Sequence, residues 1–129
     1  MKYALFLDDV RQRHQVTWVK LPEHPLWAIC RSYEEFCKVI NNEGLPEFIS
    51  FDHDLHDEHY KAYFKWREDK QPIDYQSFKV KSGLHCADWL KKYCAKKNLP
   101  IPPFIIHSLN EYGVDTITWT LTQDKNFLT

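Results

Sequence analysis

Three short apolar runs, each cut off by acids or histidines, constrain this chain more than any other feature. They are YALFLDD at residues 3–9, EFISFDHD at 47–54 and PFIIHS at 103–108. Apolar runs of this length, ended by charge, read as strands buried on both faces, and such strands belong to parallel sheets. In open α/β sheets, ligands bind in the crevice beyond the carboxyl ends of the strands. Side by side, the three runs bring Asp8, Asp9, Asp52, His53, Asp54, His107 and Ser108 to one edge.

The segments between the runs predict the connections. Residues 10–25 carry Pro22 and Pro25 and no helical stripe, so they read as a crossing segment, followed by a short strand at 26–31, LWAICR. Ser32 and Glu35 form a capping box, and Tyr33, Phe36, Cys37 and Ile40 mark one face of a helix that Gly44 ends. A second helix opens at Ser82-Gly83 and runs to about 97, with Leu84, Ala87, Leu90, Tyr93 and Cys94 as its buried stripe. Strand–helix alternation implies right-handed crossovers, and the order 2-1-3-4 places the three acid-tipped strands together. Residues 56–81 mix rings with bases, read as an inserted loop or lid, and are expected to be helical around 57–68. The tail at 113–123 is ambiguous: Val114, Ile117 and Leu121 suit a helix, whereas Ile117, Trp119 and Leu121 alternating with threonines suit a strand.

A chain of 129 residues is one domain with room for a core. The net charge of −1 gives no field for duplex DNA or an anionic membrane. Cys30, Cys37, Cys86 and Cys94 form no Cys-x-x-Cys pair and read as free thiols. With a strand pattern at the start and no apolar run near twenty residues, a cytoplasmic protein is expected.

Four aspartates at one edge repel, so they must be paired, solvated, partly protonated or bound to a cation. Asp8 and Asp9 after one strand and Asp52 after its neighbour can hold a hard divalent ion, Mg²⁺ or Mn²⁺. His107, flanked by Ser108 and Asn110, suits general acid–base work. His53 lies between Asp52 and Asp54, and alternation turns it away from them unless the strand has already ended. Arg11 has the fork geometry for a phosphate or for neutralising the aspartates. The helix start at Ser82 offers amides to an anion.

Together these residues resemble the cyclic-phosphate-processing receiver-like domains. The matching stretches are LFLDDVR at 5–11, SFDHDL at 50–55, Ser82-Gly83, and HSLNEYG at 107–113. His56 stands where the family has glycine, Ser82 and His85 where it has threonine and aspartate, and Glu111 where it has proline. The resemblance implies a single small receiver-like (flavodoxin-like) α/β domain with a parallel sheet of about four strands and helices on both faces. It also implies a helix for the tail and a role in processing cyclic phosphates on nucleotides or RNA ends. On that footing the chain is expected to be a cyclic phosphodiesterase. Asp52, His53 or Asp54 would activate water and His107 would protonate the leaving group, with Arg11, Ser82, Ser108 and Asn110 on the phosphate. The rings of 56–81 would stack a base. The alternatives are a nucleotide-binding sponge and a phosphoacceptor module with Asp52 as acceptor; against the latter, no Lys-Pro dipeptide occurs in the sequence.

Overall fold

Hydrophobic patterning places the strands almost to the residue. A computed structural model describes residues 2–122. Strands β1 (Ala4–Leu7), β2 (Trp27–Cys30), β3 (Phe48–Phe51) and β4 (Phe104–Ile106) form one parallel sheet in the order β2-β1-β3-β4. Ala4 lies opposite both Trp27 and Phe48, and Ile49 opposite Phe104. Helix α1 (Tyr33–Glu43) begins at Ser32, whose hydroxyl accepts from the Glu35 amide, and ends at Gly44 with a positive φ of 83°. Helices α2 (Asp57–Asp69), α3 (Gly83–Lys97) and α4 (Glu111–Thr122) complete the fold.

Side chains alternate along each strand, so the two faces of the sheet differ. Tyr3, Leu5, Leu7, Ile49 and Phe51 join Phe36 and Ile40 of α1, Leu84, Ala87 and Leu90 of α3, and Ile117 of α4 in one core. Each such Leu, Ile or Phe, fully buried, contributes about 1.5–3 kcal/mol. The opposite face carries Phe6, Ser50, Trp27 and Phe48, and its cover is the crossing segment rather than a full helix. As the lack of a helical stripe at 10–25 predicts, the crossing segment holds only a 3-10 turn, Arg13–Gln15. Arg13 lays its guanidinium over Trp27, 4.8 Å from the ring centroid.

Residues 56–81 are packed structure. Trp66 of α2 lies against the core, and after the helix Ile73 and Tyr75 enter it and Phe78 packs on it. The Glu58 carboxylate accepts from the amides of Lys79 (3.1 Å) and Val80 (2.7 Å), and the buried His59 ring joins the Leu55 amide to the Val80 carbonyl. These bonds close the base of the segment.

The tail is a helix. Gly113, Thr116, Ile117, Thr120 and Leu121 form its buried face at helical spacing. Thr118 and Thr122 donate their hydroxyls to the carbonyls of Val114 and Thr118, four residues back, each at 2.7 Å. The alternation that suggests a strand arises because small hydroxyl-bearing residues share the buried face with the apolar ones. Position 123 lies outside the described residues. Cys30, Cys37, Cys86 and Cys94 are free thiols. Among the described residues no helix is long and apolar enough to cross a membrane.

Candidate active site at the carboxyl edge of the sheet

Alternation divides the polar residues at the strand ends into two groups. Asp8 continues the parity of Phe6, Asp52 that of Ser50, and His107 that of Ile105, so all three emerge on the second face of the sheet. Asp8 Oδ, Asp52 Oδ and His107 Nε2 converge, with one ligand atom of each lying within 4.8 Å of the others. All three residues are buried.

Asp8 is the most heavily bonded. Its Oδ1 accepts from the amides of Val10 (3.0 Å) and Arg11 (2.8 Å), which folds the chain back over the strand end. Its Oδ2 lies 3.0 Å from His107 Nε2 and 3.4 Å from the Arg11 guanidinium. Burial pushes the Asp8 carboxyl up, but the bonds from His107 and the two amides outweigh it and hold the group below the usual carboxylate range. His107 is fixed on three sides. Its ring stacks on Phe6 with centroids 4.7 Å apart, and Nδ1 meets the Ser50 hydroxyl at 2.6 Å while Nε2 faces Asp8.

Asp52 contrasts with both. Its Oδ1 accepts from the His53 amide at 2.8 Å, but its Oδ2 is buried without a hydrogen-bond partner. Among the described residues, the cation paired with that oxygen is Arg11, at 3.9 Å. Burial, reinforced by the charges of Asp8 and Asp54, raises the Asp52 carboxyl well above its ordinary value. A buried, unpartnered carboxylate oxygen beside a second carboxylate and an imidazole nitrogen is a donor set that suits a divalent cation. Asp9, expected as a ligand of that cation, is half-buried and turns toward Tyr60, whose hydroxyl lies 3.5 Å from its Oδ1. The metal set at this edge therefore has His107 where the sequence suggests Asp9.

His53, Asp54 and Asn110 form a separate cluster on the helix side. Alternation still turns His53 away from Asp52, but it fails one residue further on, and Asp54 turns with His53 instead of with Asp52. His53 Nδ1 meets Asp54 Oδ1 at 2.7 Å, and Nε2 meets the Tyr75 hydroxyl at 2.8 Å, which in turn contacts Thr116 Oγ1 at 3.0 Å. Both ring nitrogens are occupied and the ring is fully buried. Asn110 donates to Asp54 (3.0 Å), and its Oδ1 caps α4 by accepting from the Gly113 amide at 2.8 Å. Ser108 accepts from the Asn110 amide at 3.0 Å.

The helix start at Ser82 is also occupied. Ser82 is fully buried, its amide donates to His85 Nδ1 (2.9 Å), and the Gly83 amide donates to the His53 carbonyl (2.7 Å). Burial and the nearby Lys81 lower His85 to about 4, so it stays neutral and able to accept. Of the amides expected to greet a phosphate, that of Ser82 is thus spent within α3 and that of Gly83 ties the helix to the end of β3. A Cβ at Gly83 would lie 1.9 Å from the Asp52 carbonyl oxygen, so only glycine permits this approach.

The family scan places residues 3–123 in the cyclic-phosphate processing receiver domain. The chain belongs to that family. No curated protein and no solved structure matches it. Within this receiver domain, Asp8, Arg11, Asp52 and His107 were legible from the strand ends. Nothing in the sequence assigns a role to Ser50, Trp18 or Arg31, and Tyr75 is marked only as one of the rings of 56–81. Trp18 donates its indole N–H to the His107 carbonyl at 2.8 Å, and Arg31 donates to the carbonyls of Asp8 (3.1 Å) and Arg11. A tryptophan and an arginine brought in by a crossing segment and an edge strand have no spacing signal to reveal them. The rings of 56–81, expected to stack a base, are largely spent on packing: Tyr63 and Tyr75 are buried, and Trp66 and Phe78 lie against the core.

Proposed function

We propose that this receiver domain is a cyclic phosphodiesterase, opening a cyclic phosphate on a nucleotide, a ribosyl derivative or an RNA end. The observation that carries the reading is Asp52 Oδ2: buried, unpartnered, and facing Arg11 in a family named for cyclic-phosphate processing. Arg11 receives the phosphoryl oxygens, its fork being suited to two of them. Water attacks phosphorus in line with the leaving alkoxide, and its proton passes to Asp52, whose raised basicity fits it for the task. The bond from phosphorus to the alkoxide oxygen breaks, and the His107 Nε2 proton shifts from Asp8 to that oxygen, while the Ser50 hydroxyl and the stack on Phe6 keep the ring oriented. His53, Asp54, Ser82, Ser108 and Asn110 hold the strand end and the helix starts in place.

Asp8, Asp52 and His107 would hold a divalent ion such as Mg²⁺ or Mn²⁺, whose charge would offset that of the phosphoryl oxygens. Since the ion would draw on the same imidazole, metal and a proton on His107 would be alternative ways to compensate the leaving oxygen.

A panel of 2′,3′-cyclic and 3′,5′-cyclic nucleotides and ribosyl cyclic phosphates, with and without chelator, tests the reading. Ring-opened product that disappears in Asp52→Asn and Arg11→Ala supports it. Stoichiometric binding without product makes the protein a nucleotide sponge, and an aspartyl phosphate formed from acetyl phosphate makes it a phosphoacceptor module; either result overturns the hydrolase.

A further inference from the structure

The first crossover lacks the helix that ordinarily covers a βαβ unit, and an open groove of about 780 Å³ lies in its place. Val16, Trp18 and Ile29 give it apolar wall, and Arg13, Lys20 and Arg31 outnumber Glu23 among its charged groups. Its volume falls in the range of small-molecule sites. Trp18 stands between this groove and the carboxylates. The Arg11 guanidinium lies 5.1 Å from the Trp18 ring centroid, and the same group reaches Asp8 at 3.4 Å and Asp52 at 3.9 Å. The indole is pinned by Arg11 and by its bond to the His107 carbonyl, yet the residue stays 40% exposed. A tryptophan held rigid but left open to solvent has an ordered aromatic surface without the burial that normally accompanies one.

We infer that Trp18 is the platform on which the substrate's nucleobase stacks, which makes the substrate a nucleoside cyclic phosphate and not a bare sugar phosphate. This rests on the cyclic-phosphate reading of the acidic site. Arg11 lies over one face of the indole, so the base stacks on the opposite face with its phosphate reaching Arg11 around the ring edge, and the cationic groove beyond accepts the rest of the molecule. Every base presents a π-face, so stacking here favours nucleosides over sugars without choosing strongly among bases.

The test compares 2′,3′-cyclic AMP with its base-less counterpart, methyl riboside 2,3-cyclic phosphate, on the wild-type protein, Trp18→Phe and Trp18→Leu. Affinity and kcat/KM are measured for each. Both variants lose the bond to the His107 carbonyl, but only phenylalanine keeps a ring to stack on. Trp18→Leu is expected to weaken 2′,3′-cyclic AMP by roughly ten-fold or more, the size of one base–aromatic stack. The base-less compound reads the shared loss of the bond to the His107 carbonyl, so it should change equally in the two variants, and Trp18→Phe should recover for 2′,3′-cyclic AMP most of what Trp18→Leu loses beyond that. Equal losses for both compounds would make Trp18 a support for His107 and overturn the platform, as would no loss for either. If the wild-type protein binds 2′,3′-cyclic AMP without opening it, the hydrolase falls while the affinities still decide the platform. If it binds the two compounds equally, the platform falls while turnover still decides the hydrolase.

Discussion

Replacing Asp52 by asparagine should make the protein more stable, although it removes the residue on which the proposed chemistry turns. Asp52 is 2% exposed, and its Oδ2 has no hydrogen-bond partner. Leaving a buried polar atom unpaired costs about 1–3 kcal/mol, more when it is charged. Asparagine removes the charge that Asp8 and Asp54 oppose and presents an amide donor to an acceptor-rich site. The expected gain at neutral pH is about 1–3 kcal/mol, roughly 4–12 °C in Tm for a domain of this size. The pH dependence follows from the raised carboxyl. Between the ordinary carboxylate pKa and the higher folded value, the native state binds more protons than the unfolded chain, so wild-type stability falls as pH rises through that window. Asp52→Asn has no such titration, and its advantage should therefore be small near pH 4 and grow as pH rises. Thermal unfolding of both proteins at pH 4.5 and 7.5, with and without Mn²⁺, measures this. The ion is expected to stabilise the wild type, by about 2.7 kcal/mol at a hundred times its Kd, and to leave the variant unmoved. A variant less stable than wild type at pH 7.5, or a difference that ignores pH, would refute the account of Asp52.

The two buried glycines should rank in a defined order. A Cβ at Gly113 would lie 2.3 Å from His53 Cγ, whereas one at Gly83 would lie 1.9 Å from the backbone oxygen of Asp52. Gly113→Ala is expected to cost about 2–3 kcal/mol in denaturant unfolding and Gly83→Ala more, because backbone yields less than a ring; the reverse order would count against the packing described. Tyr75→Phe removes the hydroxyl between His53 and Thr116 and should cost about 1–3 kcal/mol, again read from denaturant midpoints, with turnover of a cyclic nucleotide little changed. A large loss of turnover with unchanged stability would put His53 back among the reacting groups.

The strands, their order and the convergence of Asp8, Asp52 and His107 were legible because apolar runs and side-chain parity are local properties of sequence. Parity carries on just past a strand end, turning His53 away from Asp52, and fails by Asp54, which follows His53. The helix start at Ser82 reads as an anion site because a sequence displays its amides but not their acceptors; here the His53 carbonyl takes the Gly83 amide. Trp18 lies in a segment without periodicity, and its partner, the His107 carbonyl, is 89 positions away. The tail at 113–122 shows the opposite difficulty, since threonines that look exposed in an alternating pattern share a helix face with Ile117 and Leu121.

Every pairing in the sheet joins segments far apart in sequence, Ala4 with Trp27, Ala4 with Phe48 and Ile49 with Phe104. Loops of such length must close before any contact between their ends is made, which slows folding. Asp8, Asp52 and His107 meet only when the β1–β3 and β3–β4 pairings both exist, so the pocket is among the last features to be completed. Mutual repulsion of its carboxylates is consequently postponed until the core has closed. A cation captured there would act as a latch on the finished fold, slowing its opening without hastening its formation.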